Sequence, residues 1–149
     1  MPCDKLKVIE DVERDGSTEE HQEEKKTMSH STLVLRNAPE FEIDAYDAAT
    51  GHYTTISSEQ FKGKWAVVCF YPADFTFVCP TEIAAMNAHL DILTEMGVDV
   101  VAISTDTKFS HKRFVETEPI LAGLKMTIGA DPTGEVSRKS SSVAKGNRP

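Results

Sequence analysis

Hydrophobic positions along the chain follow a regular pattern from residue 41 onwards. Phe41, Ile43 and Ala45 alternate with more polar neighbours, and a second short run at residues 52–56 follows a segment that ends in Gly51. Alternation with a period of two is typical of a half-buried strand, and a glycine between two such runs favours a turn. These positions predict a β-hairpin.

The longest apolar run covers residues 65–71, with seven consecutive residues rich in β-branched and aromatic types. We expect a central strand covered on both faces, because such runs are typical of buried parallel sheets. A run of seven is far shorter than the roughly 18 apolar residues of a membrane-spanning helix. In residues 80–96 the apolar spacing changes to three and four, which predicts a helix that ends at Gly97.

The remaining pattern continues this alternation. Residues 98–103 predict a second buried strand, residues 109–117 a helix that ends before a proline, and residues 124–128 a further strand. Strand, helix, strand, helix, strand is the order of an α/β layered domain with parallel crossovers. We expect this domain to occupy residues 31–138.

Charge distinguishes both ends of the chain from this domain. The 149 residues carry a net charge of −8, and residues 1–28 alone hold nine acidic and five basic side chains. Residues 10–26 contain one apolar side chain, which is too little to offset the entropy of ordering. We therefore expect a flexible acidic tail at 1–30 and a basic unstructured tail at 139–149.

Acidic side chains outnumber basic ones, and the central part of the chain has no basic cluster. We therefore do not expect nucleic acid as a partner. No membrane association is expected either. The N-terminal residues show no secretory or transit pattern, so the cytoplasm is the expected location.

Three cysteines are the candidates for chemistry, and each is interpreted from its surroundings. Cys3 falls in the acidic tail, and Cys69 falls inside the apolar strand, where packing explains it best. Cys79 directly precedes the predicted helix. A thiol in the first turn of a helix faces unpaired backbone N–H groups and the positive end of the helix dipole, and both favour the nucleophilic thiolate.

The neighbours of Cys79 make this interpretation specific. The pattern Pro72-x-x-x-Thr76-x-x-Cys79, within residues 70–82, closely resembles the active-site signature of the peroxiredoxins, in particular the alkyl hydroperoxide reductase C and thiol-specific antioxidant branch of typical two-cysteine type. The resemblance extends over roughly residues 33–138. It continues through the segments 97–101, 104–107, 109–112 and 131–134.

The resemblance implies a thioredoxin-like fold, with a central mixed sheet flanked by helices, and no metal, haem or flavin. Cys79 would be the peroxidatic cysteine, which becomes a sulfenic acid on attacking hydrogen peroxide or an alkyl hydroperoxide. Thr76 would hydrogen-bond the thiolate and the peroxide, and Pro72 would shield the sulfur. The implied partners are a thioredoxin-like or other thiol reductant and a second copy of the chain in a homo-oligomer.

The family pattern continues with an arginine-bearing strand and a later resolving cysteine, which we expect this chain to lack. Neither Arg138 nor Arg148 is assigned the arginine role, and no cysteine follows Cys79. The resolving thiol is left open between Cys3, Cys69, an external thiol and another chain. The alternative function is a truncated, catalytically impaired chain that acts at most as an interaction subunit.

Other side chains receive ordinary interpretations. His111 and His89 have no metal-ligand spacing around them, so we expect surface or partly buried histidines. Tyr71 and Phe75 either line a pocket or simply pack.

Overall fold

The computed structural model describes residues 37–140 of the chain. The predicted acidic tail at 1–30 lies outside the described residues, as does all of the predicted basic tail except Lys139 and Ser140.

A five-stranded mixed sheet forms the centre of the described part, with the strand order β2-β1-β5-β4-β3. The strands are β1 (Glu42–Asp47), β2 (His52–Ser57), β3 (Trp65–Phe70), β4 (Val98–Ser104) and β5 (Thr127–Ala130). β1 runs antiparallel to both β2 and β5, whereas β3, β4 and β5 are parallel. The predicted hairpin, the parallel crossovers and the central mixed sheet are therefore confirmed.

Within residues 37–140, four α-helices connect or follow these strands: α1 (Cys79–Ala88), α2 (Leu90–Glu95), α3 (Lys108–Thr117) and α4 (Glu135–Lys139). The single helix predicted at 80–96 is thus two helices, separated at His89. The apolar spacing continues through the break, so periodicity alone could not reveal it. The predicted domain boundary at residue 138 falls within α4.

Side-chain oxygens hold two of the helix starts in place. Thr107 accepts a hydrogen bond from the N–H of Ser110 and so caps α3. The buried Asp131 accepts from the N–H groups of Val136 and Ser137 in the first turn of α4. Thr107 lies shortly after the end of β4, and Asp131 directly follows β5. The polar turns therefore fix the direction in which each helix leaves the sheet.

Both faces of the sheet are covered, because successive residues of a strand point to opposite sides. On one face Val100 and Ala102 belong to a core cluster with Ile83 of α1 and Phe114 of α3. On the other face Val101 and Ile103 pack in a second cluster with Val136 of α4. The longest strand, β4, therefore lies between two hydrophobic layers.

The prediction for residues 65–71 is wrong in one respect. Among residues 37–140, β3 pairs only with β4 and lies at an edge of the sheet rather than at its centre. Trp65 is 81% exposed and Val67 is 40% exposed. A continuous apolar run shows which surface would gain from burial, but it does not show that another element covers that surface.

No helix within residues 37–140 is long and apolar enough to cross a membrane.

Candidate functional site

The candidate site lies where β3 gives way to α1. The strand ends at Phe70, a loop covers residues 71–78, and Cys79 is the first residue of α1. The N–H of Tyr71 donates to the carbonyl of Ile103, which extends the pairing with β4 by one residue. Cys79 is 6% exposed and packs in the same core cluster as Tyr71 and Ile83. The candidate nucleophile is thus almost enclosed at the start of the helix that follows a parallel strand.

The first turn of α1 differs from the sequence expectation. Pro80 has no N–H, and the N–H groups of Thr81 and Glu82 both donate to the carbonyl of Val78. The sequence predicts unpaired N–H groups near the thiol in this turn. Residues 80, 81 and 82 provide no unpaired N–H group. Of the two effects expected to stabilise the Cys79 thiolate, only the helix dipole remains in this arrangement.

Thr76 and Pro72, the other two predicted site residues, lie on the same loop. The hydroxyl of Thr76 donates to the carbonyl of Ala73 at 3.2 Å. A hydroxyl has one proton, so in this arrangement Thr76 can still accept a hydrogen bond but has no second one to donate. Pro72 is exposed, and its carbonyl accepts from the hydroxyl of Thr105 at 2.9 Å. The roles predicted for both residues stay predictions.

Asp74 holds the middle of the loop. Its side chain is buried and accepts hydrogen bonds from the Tyr71 hydroxyl and the Ser110 hydroxyl, each at 2.7 Å. It also faces Nδ1 of His111, which lies 2.9 Å from Oδ2. The backbone N–H of Asp74 donates to the carboxylate of Asp106 at 2.6 Å. The loop before Cys79 is therefore attached to α3 and to the segment that precedes it.

The environment of Tyr71 keeps its hydroxyl protonated. Burial raises the pKa of Tyr71 far above its ordinary value, and the negative charge of Asp74 raises this pKa further. Because the phenol keeps its proton, the Tyr71 hydroxyl remains a hydrogen-bond donor to Asp74. Tyr71 thus packs in the core and also carries a polar contact.

Cys69 lies near the candidate nucleophile without sharing its position. It is half-buried on β3, opposite Ala102 of β4. Burial raises the pKa of the Cys69 thiol, and the charges of Glu82 and Cys79 raise this pKa further. Since the thiolate is the reactive form, these effects make Cys69 a poor nucleophile at neutral pH.

A cavity of about 700 Å³ is found elsewhere on the described part. The residues that line it include Phe41, directly before β1, and Asp44 of β1. Lys108 and Phe109 of α3 and Val136 of α4 line it as well. Cys79 is not among the residues that line it. Among the described residues, no group of three or more His, Cys, Asp or Glu side chains is arranged to hold a metal ion.

The network around Asp74 is the part of the site that sequence reasoning missed. His111 was expected at the surface or partly buried, and this is wrong because its side chain is completely buried. The available signal was helical spacing: His111 precedes Phe114 by three residues, so both lie on one face of α3. A histidine on an apolar face needs polar partners, and Asp74 in the loop provides one.

A mixed sheet whose parallel edge strand leads into a cysteine at a helix start defines a thioredoxin-like protein with a candidate redox thiol. The family model described as AhpC/TSA family matches residues 34–146. The chain belongs to the AhpC/TSA family.

Individual relatives agree with this assignment. The alkyl hydroperoxide reductase C of Staphylococcus saprophyticus is 39% identical over 107 residues, which cover 72% of this chain and 57% of that protein. The crystal structure of Enterococcus faecalis AhpC gives a TM-score of 0.67 at 36% identity, over 72% of this chain and 63% of that one. The reduced 2-Cys peroxiredoxin of Plasmodium vivax gives 0.72 at 30% identity, over 77% and 61%. The chain therefore spans less than two thirds of each relative.

Proposed function

We propose that the protein is a thiol-dependent peroxidase that reduces hydrogen peroxide and alkyl hydroperoxides, with Cys79 as its reacting residue and an antioxidant role. The observation that carries the proposal is the position of Cys79. It is the first residue of α1, directly after a loop that Asp74 and Thr105 attach to the neighbouring elements. Membership of the AhpC/TSA family supports the same chemistry.

The proposed reaction proceeds in two stages. In the first, an electron pair of the Cys79 thiolate forms a bond to the terminal peroxide oxygen, and the O–O bond breaks. The departing oxygen takes up a proton and leaves as water or an alcohol, while Cys79 becomes a sulfenic acid. In the second, a thiol reductant condenses with the sulfenic acid, releases water and forms a disulfide, which a second thiol reduces.

Thr76 and Pro72 complete the proposed site. The lone pairs of the Thr76 hydroxyl are available to a peroxide proton in the observed arrangement, and release of its bond to Ala73 would also allow it to donate. Pro72 contributes a rigid backbone position without an N–H of its own. Its carbonyl is held by Thr105, which fixes the start of the loop.

Partners and location are part of the same proposal. A thioredoxin-like or other thiol reductant is proposed, because the raised pKa of Cys69 makes that residue a poor resolving thiol. A homo-oligomer and a cytoplasmic location are proposed as well. The free thiols of Cys69 and Cys79 are suited to a reducing compartment.

The test is chemical trapping of the sulfenic acid. Purified protein is mixed with hydrogen peroxide in the presence of a dione probe that labels sulfenic acids, and the wild type is compared with Cys79→Ser and Cys69→Ser. We expect rapid labelling of the wild type and of Cys69→Ser, and loss of labelling in Cys79→Ser. Labelling of Cys79 no faster than that of a free cysteine at the same pH would favour the non-catalytic interaction subunit instead.

A further inference from the structure

The side chain of His111 is completely buried, and both of its ring nitrogens face hydrogen-bond acceptors. Nδ1 lies 2.9 Å and 3.2 Å from the two carboxylate oxygens of Asp74. Nε2 lies 3.2 Å from the carbonyl oxygen of Gly129 on β5. A backbone carbonyl can only accept, and a neutral imidazole carries only one N–H. The neutral ring therefore satisfies both contacts only if Asp74 itself carries a proton.

The other partners of Asp74 favour its ionised form. Tyr71 donates to Oδ1 and Ser110 donates to Oδ2, each from a hydroxyl at 2.7 Å. Hydrogen bonds donated to a carboxylate stabilise its charged state, and here donors reach both oxygens. With Asp74 ionised, only a ring with protons on both nitrogens satisfies Asp74 and Gly129 together. The hydroxyl donors on both oxygens of Asp74 therefore favour an imidazolium paired with a carboxylate over a neutral ring paired with a protonated carboxyl group.

This pair attaches the loop of residues 71–78 to α3. A second contact between the same two elements lies next to it, where the ring of Phe75 meets that of Phe114 edge-on at 5.2 Å. Among the described residues, the other titratable groups in contact with the pair are Tyr71, from the loop, and Asp106, which accepts from the Asp74 N–H. Neither Tyr71 nor Asp106 can carry a positive charge, so of these groups only His111 can balance the charge of an ionised Asp74.

We propose that His111, in its doubly protonated form, is a positioning residue of the peroxidase site. It acts through Asp74, fixes the loop that bears Thr76, and so sets the arrangement in which Cys79 meets a peroxide. The inference rests on the proposed function for its catalytic consequence. The protonation state and the loop contact stand on the geometry alone.

The first experiment measures the protonation state in the wild-type protein. Nitrogen-15 NMR of the histidine rings at pH 7.5 is assigned by comparison with His111→Gln. We expect a bonded proton on both ring nitrogens of His111, whereas the exposed His89 exchanges its ring protons with water. A His111 ring with a single bonded proton overturns the proposal.

The second experiment measures positioning with His111→Gln, Asp74→Asn and the double variant, and His89→Gln is the matched control. We expect each single variant to lower the rate constant for Cys79 oxidation by hydrogen peroxide at least tenfold. The double variant should fall no further than the slower single variant, because the two residues act as one unit. A folded His111→Gln protein that reacts within twofold of the wild type overturns the positioning role.

A third measurement separates this proposal from the proposed function. Backbone amide shifts of residues 73–78 are compared in the wild type, His111→Gln and His89→Gln. We expect displaced loop signals in His111→Gln only, and unchanged signals overturn the positioning role. An unreactive wild-type Cys79 would refute the peroxidase function, while the ring protons and the loop signals would still decide the role of His111. If His111→Gln does not fold, the role of His111 is decided by the wild-type ring spectrum and by the rate constant for Cys79 oxidation in Asp74→Asn.

Discussion

At the scale of single residues, the loop before Cys79 contains a backbone conformation that side chains seldom adopt. Phe75 has a φ of 56°, and it is the one non-glycine residue among those described with a positive φ. The residue is 57% exposed, but its ring contacts that of Phe114. The left-handed region costs a non-glycine residue roughly 1–2 kcal/mol. The ring contact thus helps to hold a conformation that the backbone alone would avoid.

This conformation predicts an unusual order of stabilities. We expect Phe75→Gly to be more stable than Phe75→Ala by about 1 kcal/mol, because both lose the ring and only glycine relieves the backbone cost. The free energy of unfolding, measured by urea titration, checks the order. Phe77 is the matched control, since it is 99% exposed and has no positive φ. We expect Phe77→Ala to be at least as stable as Phe77→Gly. A glycine variant more stable than the alanine variant at both positions would contradict the argument.

Secondary-structure elements show where sequence patterns are informative. The parallel units were predictable because β-branched runs and helical spacing alternate over 65–128, and Gly51 marks the hairpin turn. The position of β3 was not predictable, since an apolar run looks the same at an edge and at the centre of a sheet. The candidate thiol was found from its motif. The two partners of Asp74 on α3 were not, because they lie 36 and 37 residues away in the sequence.

The edge position of β3 predicts concentration-dependent self-association. Exposed apolar edge strands pair readily with other chains, and charged residues such as lysine counter this tendency. We expect Val67→Lys to reduce association markedly, measured by light scattering over a range of protein concentrations. Thr55→Lys introduces the same charge on the opposite edge strand, β2, and should have a smaller effect. Equal effects of the two variants would point to net charge rather than to the edge of β3.

At the scale of the whole molecule, the buried tyrosines link stability to alkaline pH. Burial raises the pKa of Tyr71 well above its ordinary value of 10.0, and the charge of Asp74 adds to this effect. Above pH 10 the unfolded chain therefore loses the Tyr71 proton while the folded chain keeps it. The unfolded state binds fewer protons, so the free energy of unfolding falls as pH rises.

We expect this loss to be about 1.4 kcal/mol per pH unit for each such proton. Tyr71→Phe should lower stability at neutral pH, because the bond to Asp74 is lost, but it should also make the decline above pH 10 less steep. Urea denaturation between pH 8 and pH 11 measures both effects. Tyr46 and Cys69, whose pKa values are also raised chiefly by burial, contribute further to the slope. The exposed Tyr53→Phe is the control, and an equal change of slope there would refute the assignment.

The place of β5 in the sheet has a consequence for the order of folding. In the sheet formed by residues 37–140, β5 lies between β1 and β4, so it is the strand through which the β1–β2 hairpin pairs with the β3–β4 unit. The contact between Ala45 and Gly129 closes a loop of about 80 residues, and such distant contacts are slow to form. The carbonyl of Gly129 is also the acceptor for His111. During synthesis, the loop that precedes Cys79 is therefore produced early but acquires its complete support only after β5 has left the ribosome.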